Sequence, residues 1–148
     1  MNDAGRMIAS TWQETPRHYS GVTLDSFVVM PNHMHGIVWI TSEHADGVLP
    51  SHFTMGDDCD GFLGRPRTLM WRTRGSAPTY SLSEIVQRFK SLTTRRYIDG
   101  VANYGWPRFC GRLWHRNYYD RILWNQSALL YVRRYIAENP RHTDFDGS

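Results

Sequence analysis

His33 and His35 lie one residue apart in the stretch HMHGIVWI, whose composition is that of a β-strand. Successive strand side chains alternate faces, so the two imidazoles project from one side and Met34 from the other. Two imidazoles held this way can share one divalent metal ion. Alone the pattern is a weak signal, because two ordinary histidines near a strand end give the same letters. A second set lies near the C-terminus, where Tyr131, Tyr135 and Asn139 recur every four residues. On a helix that spacing stacks side chains on one face, so a phenol and a carboxamide can face a common site. The carboxamide oxygen is a hard ligand suited to Mg²⁺ or Mn²⁺. Packing tyrosines and a capping asparagine before Pro140 would produce the same residues, so this set alone decides nothing either.

The elements that must position these groups can be read from periodicity. Residues 4–14 have helical spacing at Met7, Ile8 and Trp12, and Pro16 closes the segment. Residues 22–30 and 33–40 read as two strands around the turn signal Pro31-Asn32, which makes 22–40 a hairpin. Residues 42–80 read as a long loop, with a strand hidden near Thr68–Arg72. Residues 82–97 predict an amphipathic helix with Ser81 or Ser83 as cap and Leu82, Ile85, Val86, Phe89 and Leu92 as its apolar stripe. Residues 113–124 predict a strand with an irregular lead-in. Residues 127–139 predict a second helix, with Ser127 as cap, Pro140 as stop and Leu129, Val132 and Ile136 facing the core.

Composition narrows the function classes. A chain of 148 residues, 41% hydrophobic and 14% aromatic, can bury a core and argues for one domain over 1–148. Aromatics fill cores, and they also stack on unpaired bases. The charges are unevenly distributed. Residues 1–60 hold two Arg against eight acidic residues, whereas residues 61–148 hold fourteen Arg and one Lys against six. A basic half suggests a polyanionic partner. Cys59 and Cys110 form no paired motif, no targeting segment is visible and no apolar run is long enough to span a bilayer, so a cytoplasmic protein with no membrane partner is expected. His115 and His142 are candidate bases by residue type only.

The run Phe27-Val-Val-Met-Pro-Asn-His-Met-His35 closely resembles the HUH signature (histidine, hydrophobe, histidine) of single-tyrosine transposases. Leu113-Trp-His-Arg-Asn-Tyr-Tyr-Asp120 resembles the segment that these proteins carry before their catalytic helix, and Arg133-Arg-Tyr-Ile-Ala-Glu-Asn-Pro140 resembles that helix. The three motifs occur in the order of the REP-associated tyrosine transposase group, and the resemblance runs from Ala4 to Asp144. It implies a metal-dependent single-strand DNA nicking and joining enzyme, acting on hairpin or single-stranded DNA beside the nucleoid. His33, His35 and Asn139 would hold Mg²⁺ or Mn²⁺. Tyr135 would be the nucleophile, with Tyr131 its rival one turn earlier. Arg88, Lys90, Arg95, Arg96, Arg116, Arg133 and Arg134 would contact the DNA backbone, since arginine pairs with phosphate in two-point geometry and stacks on bases.

The resemblance also implies an α+β fold: an antiparallel sheet with flanking helices, ferredoxin-like or RRM-like. Relatives begin with a strand ahead of the first helix, and that strand lies inside the sheet. Here it is missing, so either the chain is a truncated copy, its start is misassigned or another segment fills the gap, and a homodimer would cover the open edge. His115 stands where the group has glutamine, and Trp124 where it has arginine. A nucleic-acid-binding relic without catalysis is the alternative, and a metal-dependent phosphoesterase acting on small molecules is a third class.

Overall fold

The computed structural model describes residues 1–41, 50–56 and 80–142. In chain order these form α1 (Asp3–Gln13), a 3-10 turn (Thr15–Arg17), β1 (Val22–Val29), β2 (His33–Ile40), β3 (Pro50–Gly56), α2 (Leu82–Tyr104), β4 (Tyr119–Ile122) and α3 (Gln126–His142). The strands make one antiparallel sheet in the order β1-β2-β3-β4. With three flanking helices this is an α+β fold of ferredoxin-like or RRM-like arrangement, as expected.

The helix ends follow from local chemistry. Asn2 caps α1 by accepting from the Gly5 amide at 2.8 Å. Ser81 and Glu84 cap α2 reciprocally in a capping box, which settles the choice between Ser81 and Ser83. This helix runs seven residues beyond the expected end at Tyr97. It stops at Gly105, whose φ of 68° ends the helix in the left-handed region that glycine tolerates. Ahead of α3 the cap is Asn125, whose side chain accepts from the Ala128 amide at 2.7 Å, and not Ser127. The helix also continues past Pro140 to His142. The strand expected over 113–124 is confined to Tyr119–Ile122, because Trp114 instead inserts toward α2 and donates from Nε1 to Thr93 Oγ1 at 2.8 Å.

The main correction concerns the gap in the sheet. Pro50–Gly56, inside the segment read as loop, forms β3 and lies between β2 and β4. The interior position is therefore filled by the chain itself, and no gap beside β2 calls for a second copy. The strand expected near Thr68–Arg72 lies outside the described residues.

The sheet carries a core on each face. Met34, Val38, Phe53 and Met55 pack with Trp12 of α1 and with Ile85, Val86 and Phe89 of α2. On the opposite face Ile37 and Leu123 pack with Leu129, Val132 and Ile136 of α3. The expected stripe of α3 is thus its buried stripe. Between the layers, Gly36 sits opposite Phe53 in the β2–β3 ladder, and a Cβ there would fall 2.7 Å from the Phe53 ring. A larger residue must displace a ring that also packs on Trp12 at 4.8 Å. Gly36→Ala is expected to cost about 1–3 kcal/mol of stability as an overpacked core does. Thermal or urea unfolding reads this directly, and an unchanged midpoint would contradict the packing described.

Candidate functional site

The helix that bears the tyrosines is pinned to the sheet by one carboxylate. An extra residue between Leu24 and Phe27 makes a bulge in β1, at Asp25-Ser26. A bulge re-aims side chains, and here Asp25 reaches toward α3. Its carboxylate accepts from the Ser26 amide at 2.7 Å, from Trp39 Nε1 at 2.9 Å and from Arg133 Nε and Nη2 at 3.0 and 2.6 Å. The paired guanidinium bonds fix direction as well as distance. The Arg133 guanidinium, aided by Trp39 and Ser26 and opposed by burial, holds the Asp25 carboxyl well below the usual carboxylate range. Arg133 stands two residues before Tyr135, so this clamp sets the rotation of α3 over the sheet.

Strand alternation works as the spacing predicts. Met34 is fully buried on the α1/α2 side, and the His33 and His35 rings meet edge-on at 4.9 Å on the α3 side. Tyr135 comes down on the same place, its ring 5.2 Å from that of His35 and nearly perpendicular to it. Both halves of the site therefore meet within one chain. Tyr131, the rival phenol, is 70% exposed and makes no ring contact with the histidines among the described residues, whereas Tyr135 is 43% exposed.

Neighbouring oxygens orient the imidazoles. His33 Nδ1–H donates to Asn32 Oδ1 at 2.6 Å, which leaves the lone pair of the neutral ring on Nε2. His35 Nδ1 shares a 2.7 Å hydrogen bond with Thr54 Oγ1 of β3. Burial, reinforced by His33 and His52, pushes His35 down to about 4, so near neutral pH it is the uncharged imidazole that metals require. His52, also on β3, stacks on His35 with 5.5 Å between centroids. Burial, with Arg121 adding, lowers its pKa too, and its Nε2 is buried with no partner among the described residues. Neither His52 nor Thr54 stood out in the sequence, because both fall in the segment read as loop. The alternation His52-Phe53-Thr54-Met55, polar against apolar, was the available signal.

No three His, Cys, Asp or Glu side chains come together as a metal cage among the described residues. A divalent ion at this place would rest on His33, His35 and a carboxamide. Asn139 is one turn beyond Tyr135 on α3, half-buried, and its Nδ2 is buried without a partner among the described residues. The uncharged imidazole of His35, the oriented ring of His33 and the carboxamide oxygen of Asn139 are a donor set that fits a divalent ion such as Mg²⁺ or Mn²⁺.

The basic residues divide into two groups. Three of those expected on DNA are engaged within the fold. Arg133 holds Asp25. Arg96 bridges to Glu14 at 2.8 Å and donates to Thr11 Oγ1. Lys90 is half-buried, donates to the His115 and Asn117 carbonyls at 2.7 and 3.2 Å, and lies over the Tyr118 ring. Burial lowers the Lys90 pKa to about 8. Arg88, Arg95, Arg116 and Arg134 are exposed and form no ion pair among the described residues. His115 is half-buried beside α2, and the His142 side chain lies outside the described residues.

No family model and no solved structure matches the chain significantly. The chain is similar to an uncharacterized protein of Haemophilus influenzae, 29% identical over 143 residues, which covers 95% of this chain and 66% of that protein. It thus spans just under two thirds of the relative's length. No described helix is long and apolar enough to cross a membrane.

Asp25→Asn should weaken the clamp. The expected loss is about 1–2 kcal/mol at neutral pH, kept small because Arg133 is 38% exposed and solvent screens the pair. Since the folded-state pKa is depressed, the contribution is present above the unfolded aspartate range and is lost as pH falls below it. Urea unfolding at several pH values should show wild type and variant converging below about pH 4. A constant difference down to strong acid would contradict the ion-pair assignment.

Proposed function

We propose that this chain is a metal-dependent enzyme that nicks and joins single-stranded DNA through a tyrosine nucleophile, of the REP-associated tyrosine transposase type. The observation that carries the proposal is the Tyr135 ring against His35 in the same chain. A phosphodiester is anionic and resists attack, so the reaction needs a positioned nucleophile and a counter-charge. The Tyr135 oxygen attacks phosphorus, its P–O bond forms, and the bond to the 3′-oxygen breaks. The phenol's proton passes to solvent, and the leaving 3′-oxygen takes one up as a hydroxyl. The product is a 5′-phosphotyrosine, and a 3′-hydroxyl can reverse the step to join a new partner. His33, His35 and Asn139 would hold a divalent ion, which when bound supplies charge to a non-bridging phosphate oxygen and to the leaving 3′-oxygen. Exposed arginines near the site supply further positive charge toward the strand.

Incubation with end-labelled hairpins from the chain's own genomic flanks, with Mn²⁺ or Mg²⁺, should give a covalent protein–DNA adduct. Tyr135→Phe and His33→Ala should each abolish it. Retention in Tyr135→Phe would move the role to Tyr131, and tight binding with no adduct under either metal would leave a binding module without catalysis.

Thr54→Val removes the hydroxyl that orients His35. Mn²⁺ affinity, read by titration calorimetry without DNA, should fall about 10–100-fold, the usual cost of losing a group that orients a metal-bound histidine. Equal affinity would mean that Thr54 does not orient His35 toward a metal.

A further inference from the structure

A groove leads away from the histidines between α1, α2 and the loop that precedes β4. Its first compartment, about 410 Å³, is lined by Asn32, His33, Tyr97, Arg108, Phe109 and Arg112. Its second, about 840 Å³, continues along α2 to Arg95 and Arg116. Phe109, Arg112, Leu113 and Trp114 line both, so the two adjoin along this loop. Arg95, Arg108, Arg112 and Arg116 are all exposed and form no ion pair among the described residues. Asp99 is the acidic residue on the second compartment's wall.

The loop is held in shape. Trp106 lies flat on Gly100, where a Cβ would come within 2.2 Å of the indole. Tyr97 packs edge-on against Trp106 and Phe109 at 5.3 and 5.5 Å. Lys90 ties the far end through the two carbonyls already described. Guanidinium groups at intervals along a fixed groove, with the Phe109 ring between them, suit a backbone of phosphates whose bases can turn to stack. A paired duplex offers no free base faces to such a ring.

We propose that this groove binds an unpaired DNA strand, and that it takes the segment 5′ of the bond to be cut. Arg108 and Arg112 are its principal phosphate contacts. The polarity rests on the tyrosine-nucleophile reading. In displacement at phosphorus the leaving oxygen departs opposite the attacking one, and the 5′ segment carries the leaving 3′-oxygen. His33 lines the groove and Tyr135 does not.

Binding of a fluorescent oligothymidylate to the full chain in EDTA, across a salt series, tests the groove without covalent chemistry. In Arg108→Gln/Arg112→Gln the slope of log affinity against log salt should fall by about 1.4, or ~0.7 per lost phosphate contact on a single strand. Circular dichroism should stay unchanged, since both positions are exposed. An unchanged slope overturns the groove, and so does equal or tighter binding of oligouridylate or duplex. A second measurement leaves the arginines intact. In Tyr135→Cys/Cys59→Ser/Cys110→Ser, an oligothymidylate containing 4-thiothymidine is tethered to residue 135 through its 3′ end or its 5′ end. Photo-cross-links to residues 106–116 should come from the 3′-tethered strand, which mimics the 5′ segment. Cross-links to that loop from the 5′-tethered strand only would overturn the polarity. A missing adduct with a reduced salt slope removes the enzyme and keeps the groove, whereas an adduct with an unchanged slope does the reverse.

Discussion

The pleat of β2 is the constraint on which the rest depends. Because its side chains alternate, one register position decides two things together. Met34 and Val38 enter the core beneath α1 and α2, and His33, His35 and Ile37 face α3. A slip of one residue would bury both imidazoles among Trp12 and Phe89 and expose Met34 to the tyrosine helix. Hydrophobic burial on one face thus holds the polar site on the other. The hairpin turn closes with Met30 N donating to His33 O at 2.8 Å, and β3 locks the register from the other side by pairing His35 with Thr54.

Tyr135 depends on a second constraint, the angle at which α3 crosses that face. Leu129, Val132 and Ile136 supply adhesion, but apolar contact has no direction and would tolerate rotation. The Asp25 carboxylate, turned outward by the bulge, gives the direction through Arg133 and Trp39. Arg133, two residues from Tyr135, reads as a DNA contact in the sequence alone. In the fold it serves the geometry of the site. The same holds for Lys90, which braces the loop before β4. These residues illustrate how a basic sequence divides between charges spent inside the fold and charges left facing outward.

Much of this was legible in the sequence. The alternation at His33-Met34-His35, the four-residue rhythm of Tyr131, Tyr135 and Asn139, and the apolar stripe of α3 are local periodicities, and local periodicity survives folding. What escaped is non-local. Pro50–Gly56 sits among residues with loop-like composition, and its identity as an interior strand comes from pairing with β2 and β4. His52 and Thr54 become part of the site only through that pairing. The partners of Arg96 and Arg133, Glu14 and Asp25, lie far away along the chain, where no spacing rule reaches.

The central claim is that one chain carries both halves of the site. Mixing the His33→Ala and Tyr135→Phe proteins tests it, with wild-type adduct formation as the reference. Each variant lacks what the other keeps. A site assembled within one chain predicts that the mixture forms no covalent DNA adduct at any ratio. Recovery of the adduct on mixing would mean that the tyrosine of one copy works beside the histidines of another, and would contradict the arrangement described.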